Sequence, residues 1–239
     1  MSYTNGLDDP SAYFYAYAFS KSSGTGSVTF DANSDLQPDF LWVKSRSNAD
    51  SHELWDSTRG VSSTLFSDVT AAEDLADNRL VSFDTDGFTW GNAGNLNAAG
   101  NFVSWAWKAN GGTTSSNTDG TITSTVQANT DAGFSIVTYT GNGIASTIGH
   151  GLGIVPAMII VKCRNEGSTN WTIYHKNSNA TPQTFILEFN TNAAADNDRF
   201  NDTAPTSSVF SVNAGSTPVN KSSNTYVAYV FAEVSFSFK

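Results

Sequence analysis

Between Tyr13 and Phe19 the chain alternates, with Tyr13, Tyr15, Tyr17 and Phe19 on one side and Phe14, Ala16 and Ala18 on the other. Period two over seven residues predicts a β-strand. Phe40–Lys44 is a continuous apolar run entered through a turn at Pro38, and it reads as a second strand. Shorter candidates lie at 52–56, 63–66 and 88–90, the last preceded by the turn Asp84-Thr85-Asp86-Gly87. Phe102–Lys108 is again apolar on both faces, with Val103, Trp105 and Trp107 on one side and Phe102, Ser104 and Ala106 on the other. Such a strand is expected to be covered twice, inside a sandwich, which makes Trp42, Trp105 and Trp107 core residues. The opening strand is expected to pair with 102–108 in one sheet. Thr70-Ala71-Ala72-Glu73 has capping-box spacing and predicts one short helix.

The pattern then recurs. Pro38-Asp39-Phe40-Leu41-Trp42-Val43-Lys44-Ser45-Arg46 returns 118 residues on as Pro156-Ala157-Met158-Ile159-Ile160-Val161-Lys162-Cys163-Arg164. His52–Asp56 matches Trp171–His175 at an offset of 119, and Phe102–Trp107 matches Tyr226–Phe231 at 124. A period this long exceeds any solenoid repeat and fits a duplicated domain. The expected fold is therefore all-β: two tandem antiparallel β-sandwich domains, jelly-roll-like or immunoglobulin-like, from internal duplication. The boundaries read as an N-terminal arm at 1–11, a first module at 12–109, a Gly/Thr/Ser/Asn-rich linker with one strand near 121–126 at 110–132, and a second module at 133–239.

Composition narrows the function. Aromatics make up 13% of the 239 residues and charged residues only 14%, so the polar surface is mostly uncharged. The net charge of −10, with no Lys/Arg cluster, argues against nucleic acid and against anionic membrane surfaces as partners. Cys163 is the single cysteine and sits in an apolar run, so no intrachain disulfide forms. Neither a basic-then-apolar leader after Met1 nor an apolar run of membrane-spanning length is present, which predicts synthesis in the cytosol without membrane insertion.

Catalytic and metal patterns are weak. The Asp84 turn fails the EF-hand spacing, because Phe88 and Asn95 stand where ligands are needed. The acidic loop at Asp196-Asn197-Asp198 and Asp202 reads as solvated surface. His52, His150 and His175 lack zinc spacing, and Gly149–Gly153 is no phosphate loop. There is no GxSxG nucleophile elbow. Glu53, Glu166 and Glu188 are the carboxylates available for glycoside chemistry, and the spacing does not set them apart from ordinary acids. For ligand binding, Trp90 beside Gly91-Asn92-Ala93-Gly94-Asn95 is the candidate exposed platform, with Asn92 and Asn95 as flanking polar groups. No cofactor and no catalytic residue is expected.

One resemblance adds to this reading. Leu7-Asp8-Asp9-Pro10-Ser11-Ala12-Tyr13-Phe14, Thr123–Val126, Gly133–Gly143, Val155–Lys162 and Tyr226–Val234 together resemble a family of marine bacteriophage proteins of virion-structural or tail-fibre-like type. The resemblance implies a non-enzymatic virion protein, made in the host cytoplasm and contacting other capsid or tail proteins, as a homo-oligomer. Without coiled-coil heptads or shaft repeats, a compact surface part is expected, such as a head decoration, a short spike or a fibre tip. The polar loops at 91–100 and 213–224 would carry its contacts. The alternatives are an adhesin for a host receptor or surface glycan and a polysaccharide depolymerase.

Overall fold

A computed structural model describes residues 9–190, 195–196 and 198–234. The N-terminal arm up to residue 8, the acidic loop's Asn197 and the segment 235–239 lie outside them. The chain is all-β with several antiparallel sheets, and it divides into two compact units. The first holds residues up to 68 and 73–112, the second residues 69–72 and 113–234. The stretch read as a linker falls largely within the second unit, where 115–117 and 124–129 are strands.

The first unit contains β1 (Phe14–Lys21), β2 (Gly26–Val28), β3 (Phe40–Ser45), β4 (Glu53–Asp56), β5 (Leu65–Phe66), β6 (Leu80–Asp84), β7 (Gly87–Trp90) and β8 (Gly100–Trp107). One sheet has the order β1-β8-β3-β4-β5 and the other β2-β7-β6. The expected pairing of the opening and closing strands is present, from Phe14 opposite Trp107 to Lys21 opposite Gly100. The core lies between the two sheets. Leu41, Val43, Trp55, Phe102 and Ala106 from the larger sheet pack with Val28, Phe88 and Trp90 from the smaller, with Tyr15, Tyr17 and Phe19 alongside. Small residues at 104 and 106 leave room for the tyrosines of β1, which line up ring beside ring.

The Asp84–Gly87 turn closes the β6–β7 hairpin. Its acids serve the hairpin itself: Asp84 accepts from Ser82 and Thr89, and Asp86 accepts from the Leu36 amide. Gly87 has φ +112, and a Cβ there would stand 1.9 Å from the Val28 carbonyl oxygen, so only glycine fits. The helix expected from Thr70 does not form. Glu73, which would reach back to the helix start, is taken instead by buried Arg59, 2.6 Å away, which also pairs with Asp56.

The second unit contains β9 (Ser115–Asn117), β10 (Ser124–Asn129), β11 (Phe134–Thr140), β12 (Ser146–Gly149), β13 (Pro156–Cys163), β14 (Thr172–His175), β15 (Phe185–Ile186), β16 (Ala195–Asp196), β17 (Val209–Val212) and β18 (Thr225–Ala232). A one-turn helix α1 (Thr217–Asn220) precedes β18. The main sheet runs β14-β13-β18-β11-β10-β9, with β12-β17 and β15-β16 as separate ribbons. Its core joins Val137, Ile159, Val161, Tyr226, Ala228 and Val230 to Ile148, Phe210 and Val212.

The order β1-β8-β3-β4 in the first unit has the same form as β11-β18-β13-β14 in the second. The registers agree with the sequence offsets: Phe40 faces Trp107 as Met158 faces Phe231, and Trp42 faces Leu54 as Ile160 faces Ile173. One difference separates the closing strands. Both faces of β18 are buried along most of its length, whereas in β8 only Phe102, Ser104 and Ala106 are buried, and Val103, Trp105 and Trp107 are half-buried.

Candidate functional site: an aromatic concavity on the first unit

The period of two decides which aromatic rings reach the core. Leu41 and Val43 point into the first unit's interior, so Trp42 between them points out; Phe102, Ser104 and Ala106 point in, so Trp105 and Trp107 point out. These outward rings gather. Trp42 and Trp105 are directly opposed and meet edge to face at 6.1 Å, while Trp107 stacks on Phe40 at 5.0 Å and leans on Phe14 at 4.9 Å. Phe14 is 41% exposed. His52, just before β4, closes the group: the Trp42 indole Nε1 donates to His52 Nδ1 at 2.8 Å. Trp42, His52, Trp105 and Trp107 line a concavity of about 330 Å³. Its lining is almost wholly apolar, and its size lies at the lower end of small-molecule pockets, roughly 300–1,000 Å³.

An indole N–H only donates, so His52 Nδ1 must be unprotonated and the neutral ring carries its proton on Nε2. Burial pushes the His52 pKa below its ordinary value, with nearby Lys44 adding to the shift and Asp68 opposing it. The ring is thus held neutral, and the concavity has no charged wall. No nucleophile or carboxylate stands among its four lining residues. Such a surface is suited to binding: flat π faces accept the apolar face of a ring, and aromatic contacts add about 0.5–1.5 kcal/mol each beyond area burial.

The site residues read from the sequence stand elsewhere. Trp90 is not an exposed platform. It is 3% exposed, points inward with Phe88, packs at 6.0 Å from Phe19 and donates from Nε1 to the Gly24 carbonyl at 2.9 Å. Asn92 is exposed but has no aromatic platform beside it, since Trp90 faces the core. Asn95 is a strut: its amide donates to both Glu53 oxygens and its side chain donates to the Ser51 carbonyl. Trp42, Trp105 and Trp107, read as core, are the accessible ones. Hydrophobicity alone could not separate the two faces of β8. The signal that could have done so is the small residues at 104 and 106, which mark the face where a second layer packs.

Of the three glutamates, Glu53 is buried against Arg79 at 2.7 Å, and burial raises its pKa above the ordinary carboxylate value. Glu166 and Glu188 line one pocket of the second unit, described below. His150 is buried and satisfied: Nδ1 accepts from the Leu152 amide and Nε2 faces the Thr206 carbonyl at 3.2 Å. His175 Nδ1 accepts from the Asn177 amide. Cys163 is buried and free. Among the described residues, no group of three or more His, Cys, Asp or Glu is arranged to hold a metal ion, and no helix is long and apolar enough to cross a membrane.

These features define an all-β protein with a solvent-facing aromatic concavity. A family model described as "Domain of unknown function (DUF7483)" matches residues 9–238, so the chain belongs to that family. No curated protein and no solved structure matches the chain.

Proposed function

We propose that the chain is a non-enzymatic surface protein of a bacteriophage particle, a head decoration, short spike or fibre tip, built of two tandem β-sandwiches that arose by duplication. The architecture is supported by one observation above all: the pairing order β1-β8-β3-β4 returns as β11-β18-β13-β14, with registers that follow the sequence offsets. Antiparallel sheets packed on a hydrophobic core in each unit suit a protein that presents a surface in many symmetric copies. The viral assignment draws its support from the sequence resemblance. Mass spectrometry of gradient-purified particles, with antibody labelling of intact ones, tests it. The chain should be present at a stoichiometry matching a symmetry of the particle and should be reachable by antibody; absence from particles refutes the proposal.

A second reading, recognition of a host-surface glycan, is favoured by the concavity of Trp42, Trp105 and Trp107. Three indoles around a shallow opening suit the C–H face of a pyranose, and their exposure otherwise costs free energy. Titration with host envelope polysaccharide, followed by tryptophan fluorescence, checks this. Saturable quenching that is lost in Trp105→Ala supports it, and an unchanged spectrum counts against it.

A further inference from the structure

The second unit holds a pocket unlike the aromatic one. Glu166, Thr169 and Asn170 from the β13–β14 connection, Glu188 following β15, Arg199, and Ser216 before α1 line a space of about 490 Å³ that is mainly polar. Its groups are fixed before any ligand arrives. Asn170 donates to Glu188 Oε2 at 2.7 Å and is itself held by Asn190 at 2.8 Å. Lys221 and Asn224 hold the Glu166 carboxylate, and these hydrogen bonds, Lys221 first, lower its pKa. Arg199 donates from Nη1 to Ser216 Oγ at 2.6 Å. Its Nε is shielded from solvent and meets no acceptor among the described residues. The lining thus sets carboxylates, a guanidinium, amides and hydroxyls side by side.

We infer that this pocket binds one residue of a saccharide by hydrogen bonds, independently of the aromatic concavity. The mixture of groups selects the ligand class. A bare anion would meet the carboxylates of Glu166 and Glu188, and an apolar ligand would strand every polar group in the lining. A sugar hydroxyl both donates and accepts, so adjacent hydroxyls can give to Glu188 and take from the Arg199 fork at once. Because the side chains are held by Asn170, Asn190, Ser216 and Lys221, little rotamer entropy remains to be lost on binding. Two of the glutamates available for carbohydrate chemistry in the sequence, Glu166 and Glu188, thus meet at one site.

The test uses the full chain and three neutral probes, cellotetraose, N,N′,N″,N‴-tetraacetylchitotetraose and laminaritetraose, in saturation-transfer NMR and calorimetry. At least one probe should bind with Kd on the order of 1 mM, as expected for a single sugar subsite. Glu188→Gln and Arg199→Lys, each checked for an unchanged amide spectrum, should each weaken that binding at least about ten-fold, while Trp105→Ala leaves it unchanged. The inference is overturned if no probe binds at about 10 mM, if both pocket variants bind like wild type, or if Trp105→Ala abolishes the same binding.

Discussion

Lys162 offers a prediction whose size follows from its surroundings. It lies in β13 with no exposed surface, and its ammonium donates to the Thr169 carbonyl at 2.9 Å, Thr169 Oγ1 at 2.8 Å and the Thr70 carbonyl at 3.4 Å. All three partners are neutral oxygens. Burial lowers its pKa from 10.5 to about 8, with Cys163 opposing the shift. The folded state therefore releases this proton about 2.5 pH units before the unfolded chain does. Below pH 8 both states carry the charge, and the burial penalty is complete. Between pH 8 and 10.5 the unfolded chain binds more protons, so stability rises with pH, by about 3 kcal/mol across the window. The perturbation is Lys162→Met, which keeps an unbranched side chain and removes the titration. Tyr139 and Tyr226, whose pKa values burial raises, act oppositely above pH 10 and are common to both proteins. Urea denaturation from pH 7 to 9.5 then isolates the lysine. Wild-type stability minus variant stability should be level up to about pH 7.5 and climb by roughly 2 kcal/mol by pH 9.5. Leaving the threonine oxygens without their donor shifts the variant by a constant and does not alter that slope. A difference curve that stays level to pH 9.5 would refute the reasoning.

Asp39 is a buried carboxylate accepting from the amides of Ala109, Gly111 and Gly112 and from Ser57 Oγ. Asp39→Asn turns an amide group toward those donors and should cost about 2–4 kcal/mol in a thermal melt. Gly87→Ala should cost at least about 3 kcal/mol, because the new Cβ meets the Val28 carbonyl. Gly60→Ala, at φ +91 in open space, should cost only about 1 kcal/mol. For His52, burial makes the folded ring harder to protonate, so stability is present above the unfolded value of 6.5 and is lost as pH falls below it. Protonation also ends the acceptor role of Nδ1 toward Trp42. Tryptophan emission should therefore be constant from pH 7 to 9 and change only in acid, and His52→Gln should remove most of that acid transition.

The strands with clean alternation were legible from sequence. Tyr15, Tyr17 and Phe19 against the closing strand, and the Pro-led strands β3 and β13, follow from side-chain period alone, and their recurrence fixes corresponding registers. Strands of two residues, such as β5, β15 and β16, are too short to show a period. β9 is built from Ser115, Ser116 and Asn117, which read as loop because its pairing with β10 is a tertiary fact. The candidate site failed for another reason. Composition told that β7 and β8 carry tryptophans, but not which face meets a second sheet, so Trp90 and the trio Trp42, Trp105 and Trp107 exchanged places. The Glu166–Glu188 pocket was hidden because its members come from connections distant in sequence.

The most direct test of the proposed virion role is cryo-electron microscopy of phage particles purified from cultures that express this chain, at a resolution that traces side chains. The account predicts two sheet-built units per copy on the particle exterior, with Trp42, Trp105 and Trp107 turned away from the shell or tail. Particles lacking the chain, or copies whose three indoles are sealed against another virion protein, would contradict it.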